Sequence, residues 1–147
     1  MSASGEAPDA APVTPTPAPW LSDPESYWAA IDQAVADAGL DAPVLALDRA
    51  ALEHNVADLT RRSAGVPIRL ATKSVRVRSV IDDITARAGF AGVLAYDVAE
   101  AHWLATTSGI DDVLMGYPSV RRDALAALAA DEVATRRVSV LVDSVDQ

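Results

Sequence analysis

The sequence predicts an α/β fold in which parallel strands are joined by helical crossovers, the front part of a (β/α)8 barrel, behind an unstructured tail. Three observations carry this. From residue 43 onward, apolar runs of about five residues alternate with amphipathic stretches of about ten, at a repeat near twenty. The short runs are almost continuously apolar, as parallel strands covered on both faces are. Glycines stand where helical stretches should stop, at Gly39, Gly65, Gly89 and Gly109.

The elements follow in order. Residues 1–19 hold five of the nine prolines, mixed with Ala, Ser and Thr, a composition that builds no core and predicts a disordered, polyproline-like tail. The ordered domain is expected over 20–147. Ser22 or Asp23 caps a first helix, with Pro24 in its first turn, Glu25 favoured by the helix dipole, and Trp28, Ile31 and Val35 along its stripe. Pro43–Leu47 is a short extended run, and Asp48 caps a helix with the stripe Leu52, Val56 and Leu59. Strands are expected at 68–73, 92–96, 112–117 and 138–142, and helices at 77–88, 97–107 and 121–130. The chain then reaches Asp143 and Ser144, which resemble the cap of another helix. A small open α/β domain would fit these elements too. The barrel fits better: a complete one takes about 250 residues, and only four central strands are present, so an incomplete barrel portion is expected.

Composition excludes several classes. A net charge of −9 argues against nucleic acid or an anionic membrane surface as partner. With no Cys there is no disulfide, thiolate metal site or cysteine nucleophile. No apolar run approaches the roughly 20 residues of a transmembrane helix, and no basic-then-apolar leader opens the chain, so a cytoplasmic protein is expected. Nucleotide-binding glycine motifs are absent.

Among twelve basic side chains, eleven are arginine and one is lysine, Lys73. Arginine stays protonated, whereas an amine in a partly dry pocket can lose its proton and attack a carbonyl. Lys73 closes the strand run Ile68-Arg69-Leu70-Ala71-Thr72-Lys73, at the carboxyl end where α/β barrels keep their chemistry. Alternation puts Arg69, Ala71 and Lys73 on one face and Ile68, Leu70 and Thr72 on the other. Two cations on an inward face call for an anionic occupant. A phosphorylated aldehyde cofactor, pyridoxal 5'-phosphate, meets both needs.

Four segments carry a family resemblance. Leu45-Ala46-Leu47-Asp48 with the helix around Leu52-Glu53-His54-Asn55-Val56, then Arg69-Leu70-Ala71-Thr72-Lys73, resembles the opening of the alanine-racemase-like (fold type III) pyridoxal-phosphate enzymes. Leu94–Ala101 and Asp111–Pro118 resemble that family's next two strand segments. Arg69, four residues before Lys73, is similar to the arginine of D-threonine aldolases and D-serine dehydratases, although Leu70 and Ala71 replace the proline and histidine of that pattern. The resemblance runs from about residue 43 to the end, and the subgroup it is most similar to is the amino acid deaminase/aldolase proteins.

The resemblance implies an N-terminal barrel domain with Lys73 as Schiff-base and proton-transfer lysine. It implies cofactor contacts from Arg69 and, at the pocket wall, Tyr117. The implied activity is a lyase acting on D-β-hydroxy amino acids by retro-aldol cleavage or deamination. An amino-acid racemase, a non-catalytic cofactor carrier of the same fold and an inactive fragment are the alternatives. A divalent metal would take its ligands from outside this stretch; no metal site is expected within it, and a full-length form is expected to be a homodimer. Asp143 and Ser144 are rim candidates or simply cap residues. His54 and His102 fall in separate helices and read as surface or interface; Asp82-Asp83 and Asp111-Asp112 read as solvated faces or caps; Trp20, Trp28 and Trp103 read as packing.

Overall fold

Ile68–Ala71, Phe90–Ala95, Val113–Met115 and Val138–Val140 pair in chain order as strands β1 to β4 of one parallel sheet. The computed structural model describes residues 18–145; the expected tail, but for its last two positions, lies outside the described residues. The chain divides into two compact units, 1–58 and 59–147.

The first unit contains α1 (Pro19–Ser22), α2 (Pro24–Asp37) and most of α3 (Arg49–Arg62). The short α1 is not among the elements expected from the sequence. Asp23 caps α2, its side chain accepting the Ser26 N–H at 3.2 Å, with Pro24 at the first position. Asp48 does two jobs. Its Oδ1 accepts the Ala50 and Ala51 N–H groups at 2.7 and 3.1 Å, closing the start of α3, while Oδ2 accepts the Tyr27 hydroxyl of α2 at 2.8 Å. The run Pro43–Leu47 forms no ladder, and Leu45 is 97% exposed; backbone in extended form holds its place in a sheet only when a neighbour pairs with it. No residue of α2 is buried: Trp28 meets Tyr27 edge-on but stays largely exposed, so the packing expected of it is not found.

In the second unit lie β1–β4 with α4 (Arg78–Thr85), α5 (Val98–Thr106), α6 (Arg122–Ala129) and α7 (Glu132–Arg137). Each strand joins the one before it, so every crossover steps the same way. Right-handed crossovers that all step one way lay their helices on one face of the sheet. Burial follows that rule. Val93, Ala95, Val113 and Met115 are buried on the helix side, under Ile81, Ala101, Leu104 and Ala105 and under Ala124, Leu128 and Ala134. Alternation turns Leu94 and Leu114, both only half-buried, to the opposite side. Full cover on both faces, expected from the apolar runs, is therefore not supplied by α4–α7. The short α7 also went unforeseen. Asp131 creates it, accepting the Val133 and Ala134 N–H groups at 2.8 and 3.1 Å and the His102 Nε2 contact at 3.0 Å.

One irregularity shapes the open face. Ile68 pairs with Phe90 but Leu70 with Val93, so β2 carries one extra residue at a bulge. Gly92 lies there at φ +88°, and a Cβ on it would run into the Asp112 carbonyl oxygen. Its bare backbone lets Arg69 of β1 reach over β2 to Asp112, Nη2 to Oδ2 at 2.6 Å. Among the described residues, no helix is long and apolar enough to cross a membrane.

Two outcomes are expected. Gly92→Ala combines left-handed strain with overlap on Asp112 and should destabilise by about 3 kcal/mol, read as a lower urea midpoint at constant slope. The second concerns acid. Asp48 lies below its ordinary 3.8 because of the Ala51 N–H and then the Tyr27 hydroxyl; Asp131 does so because of His102 and then the Ala134 N–H. Lowered carboxyl values give stability that is present above 3.8 and lost as pH falls through the folded values. Asp48→Asn with Asp131→Asn keeps acceptors for the caps but no titration, and should flatten the loss of stability seen on acidification of the parent chain.

Candidate active site at the carboxyl ends of the strands

The site begins with a threonine. Thr72, fully buried just beyond β1, donates its N–H to the Leu94 carbonyl of β2 at 3.0 Å and its hydroxyl to the same oxygen at 3.3 Å. Ser74 and Val75 then donate back to the Ala71 carbonyl, closing a turn. Lys73 stands between a buried anchor and a tight turn, so its backbone is fixed while its side chain is exposed.

Its Nζ donates to the Tyr117 hydroxyl at 2.6 Å and lies 5.3 Å from the centroid of that ring. Tyr117 follows β3 and is 39% exposed. Tyr96, the residue after β2, meets Tyr117 edge-on with centroids 5.5 Å apart and planes at 71°. The Tyr96 N–H donates to Glu100 Oε2 at 3.1 Å, which ties the strand end to α5. Three successive strand ends thus contribute an amine and two phenols. Beside them, Asp97 caps α5 by accepting the Ala99 N–H at 2.9 Å, and also accepts Arg121 Nη1 at 2.9 Å, linking the loops after β2 and β3. A recess of about 110 Å³ opens next to Tyr117, walled by Val98, Met115, Leu125 and Val142.

The hydrogen bond to Tyr117 raises the Lys73 amine above its usual 10.5; the negative charge of ionised Tyr117 adds to this, burial opposes it weakly, and Tyr96 contributes last. The amine is therefore held as an ammonium at neutral pH. For Asp97, burial pushes the carboxyl up, but the Ala99 N–H and Arg121 outweigh it and the net shift is downward.

Of the three expected cofactor residues, the structure brings Lys73 and Tyr117 into contact and takes Arg69 elsewhere. Arg69 shares the Lys73 face, as alternation requires, but its guanidinium is held by Asp112, before the first residue of β3. Tyr117 lies five residues further along, roughly 15 Å in extended chain. This half-exposed pair contributes at most about 1 kcal/mol. A larger cleft of about 620 Å³, lined by Arg78, Asp82, Asp111 and Asp112, lies at that amino-terminal side. Its charges are internally matched, by Arg78–Asp82, Arg69–Asp112 and Arg137–Asp111.

The other candidates occupy structural positions. His54 meets Trp20 edge-on at 5.3 Å, and His102 pairs with Asp131. Asp82 and Asp83 bind arginines one turn away, and Trp103, 45% exposed, lies under the Arg78 guanidinium rather than in the core. Asp143 and Ser144 stand exposed after β4, with no helix following among the described residues. No group of three or more His, Asp or Glu able to hold a metal occurs among the described residues. Tyr96, Asp97 and Arg121 were missed as rim residues. The findable signal was an aromatic just past two neighbouring strands, Leu94-Ala95-Tyr96 and Met115-Gly116-Tyr117.

Compared with known proteins, the chain matches no family model, no curated protein and no solved structure.

The geometry sets a titration. Because the folded value is raised, the Tyr117 contact favours the ammonium form, and this advantage is present below 10.5 and lost as pH rises through the folded value. The single lysine signal in a ¹³C-lysine-labelled chain should titrate above 10.5 when folded and return toward that value in urea.

Proposed function

We propose that residues 59–147 form the front arc of a (β/α)8 barrel of the alanine-racemase-like type, using pyridoxal 5'-phosphate on Lys73 in lyase chemistry on D-β-hydroxy amino acids. The observation that carries this is the placement of the only side-chain amine. It sits at the carboxyl end of a parallel strand, on the face away from the helices, with its nitrogen 2.6 Å from a phenol. Strand order supports the barrel. An arc of a barrel winds in one direction and carries its helices on one face, as this sheet does, whereas doubly wound sheets reverse direction and carry helices on both faces.

The residues at this rim fit the ring-and-aldehyde end of the cofactor. A primary amine is exposed, two tyrosine rings stand beside it, and an apolar recess adjoins them. Arg121 is the cation at the same rim. When bound, the cofactor supplies an electron sink for charge developing at the substrate α-carbon. The protein's part is positional and protonic. Thr72 fixes the backbone beneath Lys73, Tyr117 orients the amine, and the Asp97–Arg121 link holds the two flanking loops together. Lys73, once neutral, is the group placed to take or return a proton at the substrate. Arg69 stands lower on the same face and supports the sheet through Asp112.

Incubation with pyridoxal 5'-phosphate followed by borohydride should place the label on the peptide carrying Lys73. Lys73→Ala should abolish it, and Lys73→Arg equally, because arginine keeps the charge without supplying an amine. Undiminished cofactor absorbance in Lys73→Ala defeats the assignment. Release of glycine and an aldehyde from D-threonine, or pyruvate and ammonia from D-serine, identifies the lyase branch.

A further inference from the structure

We propose that Tyr117 is the proton-exchange partner of Lys73 and that Tyr96 positions Tyr117 for that role, so that the two phenols govern when the amine is free to react. This deepens the proposed function, resting on Lys73 as the reacting group, but it concerns groups of this chain alone.

The choice of partner is the argument. The chain has 21 acidic residues and one lysine. An ordinary surface lysine in such a chain pairs with a carboxylate, yet among the described residues none pairs with Lys73, and the amine is committed to a phenol at 2.6 Å. A carboxylate ionises near 4 and cannot exchange protons evenly with an amine. A free phenol ionises near 10, in the range of a free amine, so a phenol is a partner with which an amine can exchange a proton. Two such groups at hydrogen-bond distance titrate as a pair.

The arrangement holds that pair steady. Thr72 anchors one side through the Leu94 carbonyl, and Tyr96 presents its ring edge-on to the Tyr117 ring from the other. Glu100, the carboxylate of α5, is turned to the Tyr96 N–H, and Asp97 is engaged by Ala99 and Arg121. The ionisable groups that face Lys73 are therefore Tyr117 and, behind it, Tyr96. At neutral pH the ammonium donates to the phenol oxygen. Once one proton has passed from the pair to bulk water, the remaining one moves from Nζ to Oη. One N–H bond breaks and one O–H bond forms, the net charge of the pair is unchanged, and the nitrogen lone pair is released.

The test uses the full chain without cofactor. The single lysine is followed by ¹³C NMR across alkaline pH, and the pH dependence of its arylation by trinitrobenzenesulfonate is mapped on the Lys73 peptide. Tyr117→Phe should move both profiles to lower pH and raise the arylation rate severalfold at any pH below the inflection. Tyr96→Phe, which keeps the ring but removes a small charge contribution, should move them only slightly, whereas Tyr96→Ala should shift them part of the way. A chain made with 3-fluorotyrosine, whose phenols ionise at lower pH with no change of fold, should instead hold the lysine profile at or above the parent's, because the phenolate forms first and retains the ammonium. Identical profiles for the parent, Tyr117→Phe and fluorotyrosine chains overturn the proposal, as does a shift of equal size from Tyr96→Phe. Shifted profiles with no borohydride label from pyridoxal 5'-phosphate would leave the proton pair standing and remove the cofactor assignment. A label on Lys73 with unshifted profiles would do the reverse.

Discussion

Burial of Val93, Ala95, Val113 and Met115 beneath α4–α7 is the constraint on which the rest of the second unit depends. Side chains along a strand alternate, so sending these four to the helices fixes what the other side carries. Leu70 joins the same core and Thr72 is buried with it, which leaves Arg69, Ala71 and Lys73 on the open face. A slip of one residue in β1 would place an arginine and a lysine in the apolar layer. That cost excludes the alternative register, and the Lys73 amine is thereby aimed without any contact to the amine itself.

The two ends of the open face have opposite characters. At the amino-terminal side the bulge at Gly92 lets Arg69 and Asp112 neutralise each other, and the neighbouring cleft repeats the theme with further ion pairs. At the carboxyl side the amine meets the Tyr117 phenol, with Tyr96 behind it, and an apolar recess adjoins Tyr117. Cleft volume and the proposed site therefore lie at opposite ends. Charges that already satisfy one another offer little to a ligand, whereas an amine paired to a phenol retains chemistry.

Much of this was legible in the sequence because it rests on local rules. Asp23 and Asp48 stand at cap positions expected from the sequence, and each proves to accept N–H groups of its helix, whereas Asp97, read as the first residue of a helix, is the cap of α5. The four strands stand at the expected apolar runs, and Lys73 stands out by its rarity. What failed to show depends on partners distant in sequence. Pro43–Leu47 has the composition of a strand, but composition does not supply a neighbour. Trp28 and Trp103 are large and apolar, yet whether such rings are covered is decided by elements elsewhere in the chain. The Lys73–Tyr117 contact spans 44 positions, and only the order of strands in space brings it about. Asp131 was a missed local signal: Asp-Glu followed by Arg136 and Arg137 marks both ends of α7.

The order β1-β2-β3-β4 also bears on how the sheet comes into being during translation. Each strand's partner is the one made just before it, with a single helix between them, so no segment must wait for a distant one to emerge. Loop closure in such a chain is short at every step, and nascent sheets of this kind can grow strand by strand at the pace of the ribosome. Lys73 is made early and exposed, while its tyrosine partner arrives two strands later. The amine acquires its final chemical character only when that third strand has joined the sheet.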